Sequence, residues 1–304
     1  MFKQQSSGLD ALLHRPRPSA WQSFLQDPSH FIVRKLYSWC RPVKDKDIPD
    51  AQNRVSVVCI SDTHNSQCPI PTGDILVHAG DLTQSGSLQE LRAAISWLQQ
   101  QPHQYKFVIA GNHDILLDPA KDGSDGKGER QRQELEWGNI QYLQNSSSTV
   151  SVKGRRLKIY GSPMSPQNGN WAFQYPRGTN VWKHTVPDDT DILITHSPPR
   201  AHLDLNTLGC SYLLRELWRI HPALHVFGHI HEGYGHEWVH FDSFQAAYEQ
   251  AIIAGGFWNL VKVVKASFLS LFKLPASPAC QLVNPALVGG LRDDLRRQPI
   301  KVYI

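Results

Sequence analysis

Short apolar runs that end abruptly in polar residues are the feature that most constrains this chain. The β-branched run Phe107-Val-Ile-Ala110 stops at Gly111 and is followed by Asn112 and His113. A strand of this composition is buried along its length, whereas its end meets solvent, so a polar group placed there is available to a ligand. Asn112 offers a neutral oxygen ligand, and His113 offers a proton near neutral pH. One such segment is only a weak indication of a site.

Four further strand-like runs end in polar residues in the same way. Their polar ends are Asp62 and His64, Asp81 after Gly80, His196, and the pair His229 and His231. In Asp62-x-His64 and His229-x-His231, the alternate spacing places both side chains of each pair on one side of an extended backbone. Together with Asn112, these positions supply two carboxylates, one amide and four imidazoles.

This residue set predicts a metal centre. Mixed oxygen and nitrogen ligands without sulfur favour Mn, Fe, Zn or Mg over soft metals. Seven ligands are too many for one ion, but they suit two ions that share one carboxylate. Two metals about 3.5–4 Å apart can hold a phosphoryl group and generate a bridging hydroxide for in-line attack on phosphorus. His113 is then left over for acid–base chemistry.

Composition narrows the function classes. The 304 residues suffice for one large domain, and the net charge of +4 comes without a dense Lys/Arg block, so nucleic acid is not an indicated partner. The five cysteines form no Cys-x-x-Cys pair, which favours a reduced compartment without disulfides. No signal peptide and no membrane-spanning run is recognised, so we expect a cytoplasmic location.

Between the motifs, strand and helix patterns alternate, which is the pattern of a sheet covered by helices. Strands are predicted at 54–61, 74–79, 107–110, 156–160, 191–195, 224–227, 283–288 and 301–304. Helices are predicted at 88–101, where Ser87 and Glu90 form a capping box, at 131–137 and at 211–220. Residues 118–130, rich in Gly and Asp, are predicted to be a mobile loop.

Two segments stand apart from this alternation. Residues 1–53 are interpreted as a lead-in with short helices near 20–26 and 31–39, or with partial disorder in its first fifteen residues. Residues 54–304 are interpreted as one catalytic domain that carries a helical insert at about 241–274. On a helical wheel, one side of 257–274 collects apolar residues, namely Phe257, Leu260, Val261, Val264, Phe268, Leu271 and Phe272. This side can pack on the domain, lie on a membrane or contact a protein partner.

The motifs resemble, in order and spacing, the five signature blocks of the calcineurin-like metallophosphoesterases. The resemblance covers about residues 54–240. Four segments within it are similar to the MPPED subgroup, the branch related to class III cyclic-nucleotide phosphodiesterases: Val77-His-Ala-Gly-Asp81, Pro176-Arg-Gly178, Asp191-Ile-Leu-Ile-Thr-His196 and Gly228-His-Ile-His-Glu-Gly-Tyr-Gly235. The insert at 241–274 departs from the family, in which a short loop leads to the closing strands.

The resemblance implies an α/β fold with mixed sheets, a four-layer αββα sandwich that has a dinuclear site at its strand ends. The implied ligands are Asp62, His64 and His231 for one divalent ion, Asn112, His196 and His229 for the other, and Asp81 as the bridge. The resemblance also implies that His113 faces the scissile phosphate and assists the leaving oxygen, and that Asp114 orients His113. The ions would be Mn, Fe, Zn or Mg, with Mn expected to support activity.

The function predicted from these residues is metal-dependent phosphoester hydrolysis, and more narrowly phosphodiester hydrolysis of a small molecule or nucleotide. Arg177 is a candidate for phosphate contact, and Trp171 is a candidate for stacking on a base or for loop packing. Three alternatives stay open: a phosphomonoesterase or protein phosphatase, a metal-binding scaffold without turnover, and a nuclease. The residues do not identify the metal, the physiological substrate or the oligomeric state.

Overall fold

The structure, a computed structural model, describes residues 19–41, 54–205, 208–270, 279–289 and 295–304. The helices are α1 (Ala20–Gln26), α2 (Pro28–Cys40), α3 (Leu88–Gln99), α4 (Lys127–Gln133), α5 (Ser211–Ile220), α6 (Ser243–Ala254) and α7 (Phe257–Ser270). The strands are β1 (Ser56–Ile60), β2 (Ile75–Ala79), β3 (Tyr105–Ile109), β4 (Gln141–Tyr142), β5 (Ser146–Val152), β6 (Arg155–Ser162), β7 (Ser165–Pro166), β8 (Gln174–Tyr175), β9 (Ile192–Thr195), β10 (Leu224–Val226), β11 (Gly235–His240), β12 (Ala279–Asn284), β13 (Val288–Gly289), β14 (Leu295–Arg296) and β15 (Ile300–Tyr303).

Two mixed sheets form the centre of the fold. The first has the strand order β15-β1-β2-β3-β4, and the second has the order β11-β12-β10-β9-β6-β5. In each sheet the inner strands run parallel, whereas β15, β11 and β5 pair antiparallel at an edge. Parallel strands must be joined by crossovers, and α3 and α5 supply two of them.

Alternate residues of the central strands face opposite ways. In β1, Val57 and Cys59 join a core shared by the two sheets, whereas Val58 and Ile60 face the layer of α3. In β9, Ile192 points into the shared core. Because both faces of these strands are covered, their sequences are mostly apolar.

One helix packs on the outer face of each sheet. Leu91, Ile95 and Leu98 of α3 cover the first sheet, and Leu213 and Leu217 of α5 cover the second. The order of layers is therefore helix, sheet, sheet, helix. The predicted α/β fold class with a four-layer αββα sandwich is confirmed.

The parallel strands direct their carboxyl ends to one region. The turn after β1 bonds to the turn after β2, since Asp62 N–H donates to the carbonyl of Gly80 at 2.9 Å. In the second sheet, Gly228 N–H donates to the carbonyl of His196 at 3.0 Å. The polar motif ends of both sheets thus meet on one edge of the sandwich.

Several local predictions are confirmed and others are wrong. The capping box at Ser87 and Glu90 is present, and α5 spans the predicted residues 211–220. The predicted loop at 118–130 contains a single helical turn at Pro119–Lys121 and the start of α4, so the helix predicted at 131–137 lies four residues too late. The sequence reading missed β5, a serine-rich edge strand, and β11. Residues 1–18, 42–53 and 271–278 lie outside the described residues. The predictions for the first fifteen residues, for the end of the lead-in and for the end of the helical insert fall there.

Helices α1, α2, α6 and α7 form a separate helical unit. Val33 and Tyr37 of α2 pack with Phe244, Tyr248 and Val263 of the two later helices. In α7 the buried side chains are Val263 and Ser267. Of the apolar side that the helical wheel singled out, Leu260 packs on this cluster, whereas Phe257, Val261, Val264 and Phe268 are exposed. Among the described residues, no helix combines the length and the apolarity needed to cross a bilayer.

A buried ionic network joins this helical unit to the sandwich. His202, which is fully buried, contacts Glu237 of β11 at 2.9 Å through Nδ1 and Glu249 of α6 at 3.1 Å through Nε2. Gln245 and Trp218 also donate to Glu249. Although burial alone lowers it, the two glutamates raise the pKa of His202 to about 10. His202 is therefore an imidazolium that donates from both ring nitrogens.

Because this pKa lies above the ordinary value of 6.5, the network stabilises the fold fully below pH 6.5 and loses that contribution as pH rises through about 10. We expect His202→Gln to reduce the free energy of unfolding by about 3 kcal/mol at pH 6, since it leaves the carboxylate of Glu249 buried without its cation. The difference from wild type should shrink towards pH 10. Urea denaturation across this range measures it. The exposed control His184→Asn should follow wild type; a constant difference for His202→Gln would contradict the imidazolium.

Candidate metal centre

Side chains from both sheets converge in two groups at the strand ends. Asp62, His64, Asp81 and His231 place one ligand atom each within 4.8 Å of one another, and so do Asp81, His196 and His229. Asp81 belongs to both groups. Asn112 adjoins the second group, with its Oδ1 2.9 Å from His196 Nε2 and 2.7 Å from His229 Nδ1.

The structure therefore brings together all seven residues that the sequence singled out as metal ligands. It also separates them into the sets expected for two ions, with the shared carboxylate between them. Their function as ligands stays a prediction, since it is the geometry of the side chains that is observed.

Left-handed turns aim these side chains at one another. Asp62, His64, Asp81 and His229 have φ values of 49°, 43°, 52° and 68°. Non-glycine residues adopt such values at a cost, and such strain clusters at functional sites. The strands β1, β2 and β10 thus end in sharp turns, which direct their polar residues across the sheet edge instead of along the strand.

Glycines next to the polar residues make room for this convergence. A Cβ on Gly111 would lie 2.2 Å from Asp81 Oδ1 and 2.6 Å from His196 Cε1. A Cβ on Gly228 would lie 2.1 Å from Asp62 Oδ2. Contacts this short do not occur, so only glycine fits at these two positions. The glycines of the Gly-Asn and Gly-His motifs are therefore required because neighbouring ligand side chains approach their Cα atoms closely.

The lone pairs of the clustered ligand atoms suit cations. His196 Nδ1–H donates to the carbonyl of Ala79 at 3.0 Å, so in the neutral ring Nε2 carries a lone pair. That lone pair faces two oxygens, Asn112 Oδ1 at 2.9 Å and Asp81 Oδ2 at 3.3 Å. His64 Nε2 and His231 Nε2 also face each other at 3.3 Å. Acceptors packed together in this way need a proton or a metal ion between them.

Charge and burial act on this cluster in opposite directions. Although burial lowers it, the carboxylate of Asp81 raises the pKa of His196 to about 9. Burial, followed by the charge on His196, lowers the pKa of His229 to about 4. Burial opposes ionisation of Asp81, yet the surrounding imidazoles hold its pKa well below the usual range. The cluster thus attracts positive charge and keeps ionised carboxylates to bind it.

His113 lies beside the cluster. Its ring is in edge contact with His64, at 4.7 Å between ring centroids, and its backbone N–H donates to Asp81 Oδ1 at 2.8 Å. Its Nδ1 donates to the carbonyl of Gln84 at 2.8 Å, which fixes the ring and leaves Nε2 on the other side. Trp171 stacks on the ring at 4.4 Å and 25°. Residue type could not predict the Gln84 contact, because it uses a backbone carbonyl.

Asp114, which was predicted to orient His113, makes its hydrogen bonds to other groups. Its carboxylate accepts from the backbone N–H groups of Leu82, Thr83 and Gly111 and from the Thr83 hydroxyl, at 2.7–3.2 Å. It thus ties the turn after β2 to the turn after β3, whereas Gln84 orients His113. Burial, reinforced by the charge on Asp81, raises the pKa of Asp114 to about 6.

The two residues predicted to contact substrate, Arg177 and Trp171, both have partners within the protein. Arg177 is exposed and donates to the carbonyls of Gln167 at 3.2 Å and Leu208 at 3.5 Å, so it links two loops. Its contact with substrate stays a prediction. Trp171, considered for stacking on a base, has the His113 ring on one of its faces.

Comparison with known proteins identifies a family for this chain. The family model described as calcineurin-like phosphoesterase matches residues 52–233. "Metallophosphoesterase domain-containing protein 1" of Homo sapiens is 39% identical over 214 residues, which are 62% of this chain and 64% of that protein. "UPF0046 protein K07C11.7" of Caenorhabditis elegans is 37% identical over 203 residues, 61% of this chain and 67% of that protein.

A longer fungal protein is also similar. "Probable rhamnogalacturonate lyase C" of Emericella nidulans is 46% identical over 305 residues, which cover 97% of this chain and 29% of that protein. The chain thus spans under a third of the length of this relative and just under two thirds of the human one.

Substitution at Gly111 tests the packing of the centre. We expect Gly111→Ala to displace the Asp81 backbone, whose nitrogen would lie 2.4 Å from the new methyl group, and to cost about 1–3 kcal/mol of stability. Bound divalent metal should fall with it, as elemental analysis and thermal denaturation would measure. Gly178→Ala is the matched control, since no atom lies within 4 Å of its added Cβ. Equal metal content in both variants would contradict the close packing.

Proposed function

The chain belongs to the calcineurin-like phosphoesterase family, in its MPPED-like subgroup, and from that premise we propose that it is a metal-dependent phosphoester hydrolase that acts on phosphodiesters. The observation that carries the proposal is the position of Asp81. Its carboxylate belongs to both ligand groups and also accepts the backbone N–H of His113. The candidate acid is therefore held at a fixed place beside the two cation positions.

Two divalent ions from the set Mn, Fe, Zn and Mg fit the two groups. When bound, they supply the positive charge that activates water and neutralises the phosphoryl oxygens. The chain itself holds the donor atoms in place through the left-handed turns and the glycine contacts described above. This preorganisation lowers the cost of reorganising the site when substrate arrives.

His113 is proposed to assist the leaving group. With Nδ1 bonded to the Gln84 carbonyl, the free Nε2 of the protonated ring can donate to a departing alkoxide oxygen. Stacking against Trp171 holds the ring plane and shields one face from water. An alkoxide leaves poorly without a proton, so this acid matters for phosphodiesters of ordinary alcohols.

The phosphodiester specificity rests on the MPPED-like character of the motifs. The lyase name of the fungal relative is not transferred, because this chain spans only 29% of that protein. A substrate that is a small molecule or a nucleotide, and a cytoplasmic location, remain parts of this proposal.

Paired variants at adjacent residues separate metal binding from proton transfer. Asn112→Ala removes an oxygen that lies against His196 and His229, so we expect metal affinity to fall by at least about tenfold. His113→Ala should keep the metal content and lower kcat by about 10²–10⁴-fold. Elemental analysis and steady-state kinetics measure the two effects, and Asn139→Ala serves as an exposed control. If both variants lose metal equally, this division of roles is wrong.

A substrate pair tests the reaction. We expect the metal-loaded protein to hydrolyse bis(p-nitrophenyl) phosphate. Because p-nitrophenolate leaves readily without a proton, this substrate tests the preference for diesters independently of the proposed acid. Turnover of p-nitrophenyl phosphate alone would identify a phosphomonoesterase and overturn the diester assignment. Full metal occupancy without turnover of either compound would identify a metal-binding scaffold.

A further inference from the structure

The helical unit has an apolar outer surface. Thirteen large apolar side chains are exposed among the described residues, and ten of them lie on α1, α2, α6 and α7. The ten are Trp21, Leu25, Trp39, Ile253, Phe257, Trp258, Val261, Val264, Phe268 and Leu269. Single exposed apolar residues are ordinary, whereas a concentration on one unit marks an interaction surface.

The centre of this surface is the outer face of α7. Phe257, Val261 and Val264 recur at spacings of four and three residues, so they form one stripe along the helix. Phe257 and Trp258 are 69% and 76% exposed. A different side of the helix carries the buried Val263 and Ser267. The stripe is therefore apolar surface in addition to what the fold requires.

Among the described residues of the four helices, the exposed charges are all positive. Arg34, Lys35, Lys262 and Lys265 are exposed on α2 and α7. The four helices contain a single carboxylate, Glu249, and it is buried. Of the two carboxylates that cap these helices, Asp242 pairs with Arg41, whereas Asp27 is half-exposed and accepts from His30. The exposed charge of this surface is positive on balance, which favours a partner that is apolar and negatively charged.

We propose that the outer face of α7 docks on an anionic lipid bilayer. Phe257 and Trp258 would enter the boundary between headgroups and acyl chains, where aromatic rings are favoured. Lys262 and Lys265, which border the stripe, would contact the headgroups. A second copy of the chain fits less well. Pairing the same face with itself would bring like charges together, and such contacts oppose association.

Vesicle co-sedimentation tests the proposal with the full chain. We expect binding to vesicles of phosphatidylcholine mixed with phosphatidylserine, little binding to phosphatidylcholine alone, and weaker binding at high salt. Phe257→Ser/Trp258→Ser should weaken binding by at least about tenfold. Lys262→Glu/Lys265→Glu should weaken it by at least about thirtyfold. Thermal denaturation shows whether each variant is folded.

Matched controls change exposed residues elsewhere on the molecule. Leu208→Ser removes an exposed apolar side chain outside the helical unit, and Lys127→Glu/Lys183→Glu makes the same change in net charge. Both controls should bind vesicles as wild type does. An equal loss of vesicle binding in the control variants would show that binding depends only on net charge or general hydrophobicity, and it would overturn the proposal. So would a wild type that fails to bind the anionic vesicles, or one that forms dimers which Phe257→Ser/Trp258→Ser dissociates.

Discussion

The carboxylate of Asp81, buried where the two sheets meet, is the point on which the candidate centre depends. The backbone carbonyl of Asp81 accepts from the backbone N–H groups of Thr63 and His64, and these bonds hold the turn after β1. Its side chain accepts from His113 and lies 3.3 Å from His196 Nε2, so it also fixes the turn after β3 and reaches the second sheet. A buried anion is stable only if it is paired, and here each pairing positions a candidate functional group.

The sequence predicted which residues converge but not how they do so. Parallel strands expose their carboxyl ends at one edge, and this rule sufficed to collect the seven candidate ligands. Their division into two groups around Asp81 came from the resemblance to the calcineurin-like metallophosphoesterases. Left-handed turns at Asp62 and Asp81 could not be predicted, because a non-glycine residue adopts them only when tertiary contacts compensate the strain. Contacts through backbone groups, such as those of Gln84 with His113, leave no trace in residue type. The outer face of α7 could not be assigned for a further reason: the helix is apolar on both sides, so its pattern does not say which one packs.

The helical unit reaches the centre through one loop. Ala201 packs among α2, α6 and α7, and His202 next to it is held by Glu237 and Glu249. Leu203 then lies against the turn that follows His231, since a Cβ on Gly233 would be 1.8 Å from the Leu203 carbonyl oxygen. The helical unit is thereby coupled to the loop that carries one candidate ligand. It is part of the support of the site, and its free surface is turned to solvent.

Two buried histidines show how a metal site differs from a structural ion pair. His202 and His196 both have raised pKa values because carboxylates oppose the effect of burial. Around His202 the donors match the acceptors: both ring nitrogens, Gln245 and Trp218 donate to Glu237 and Glu249. Around His196 the acceptors exceed the donors, because Asn112 Oδ1 and Asp81 Oδ2 face a ring nitrogen whose partner nitrogen is already bonded to Ala79. One proton completes the first cluster, whereas the second is left with several acceptors directed at a common point, which is what a divalent cation requires.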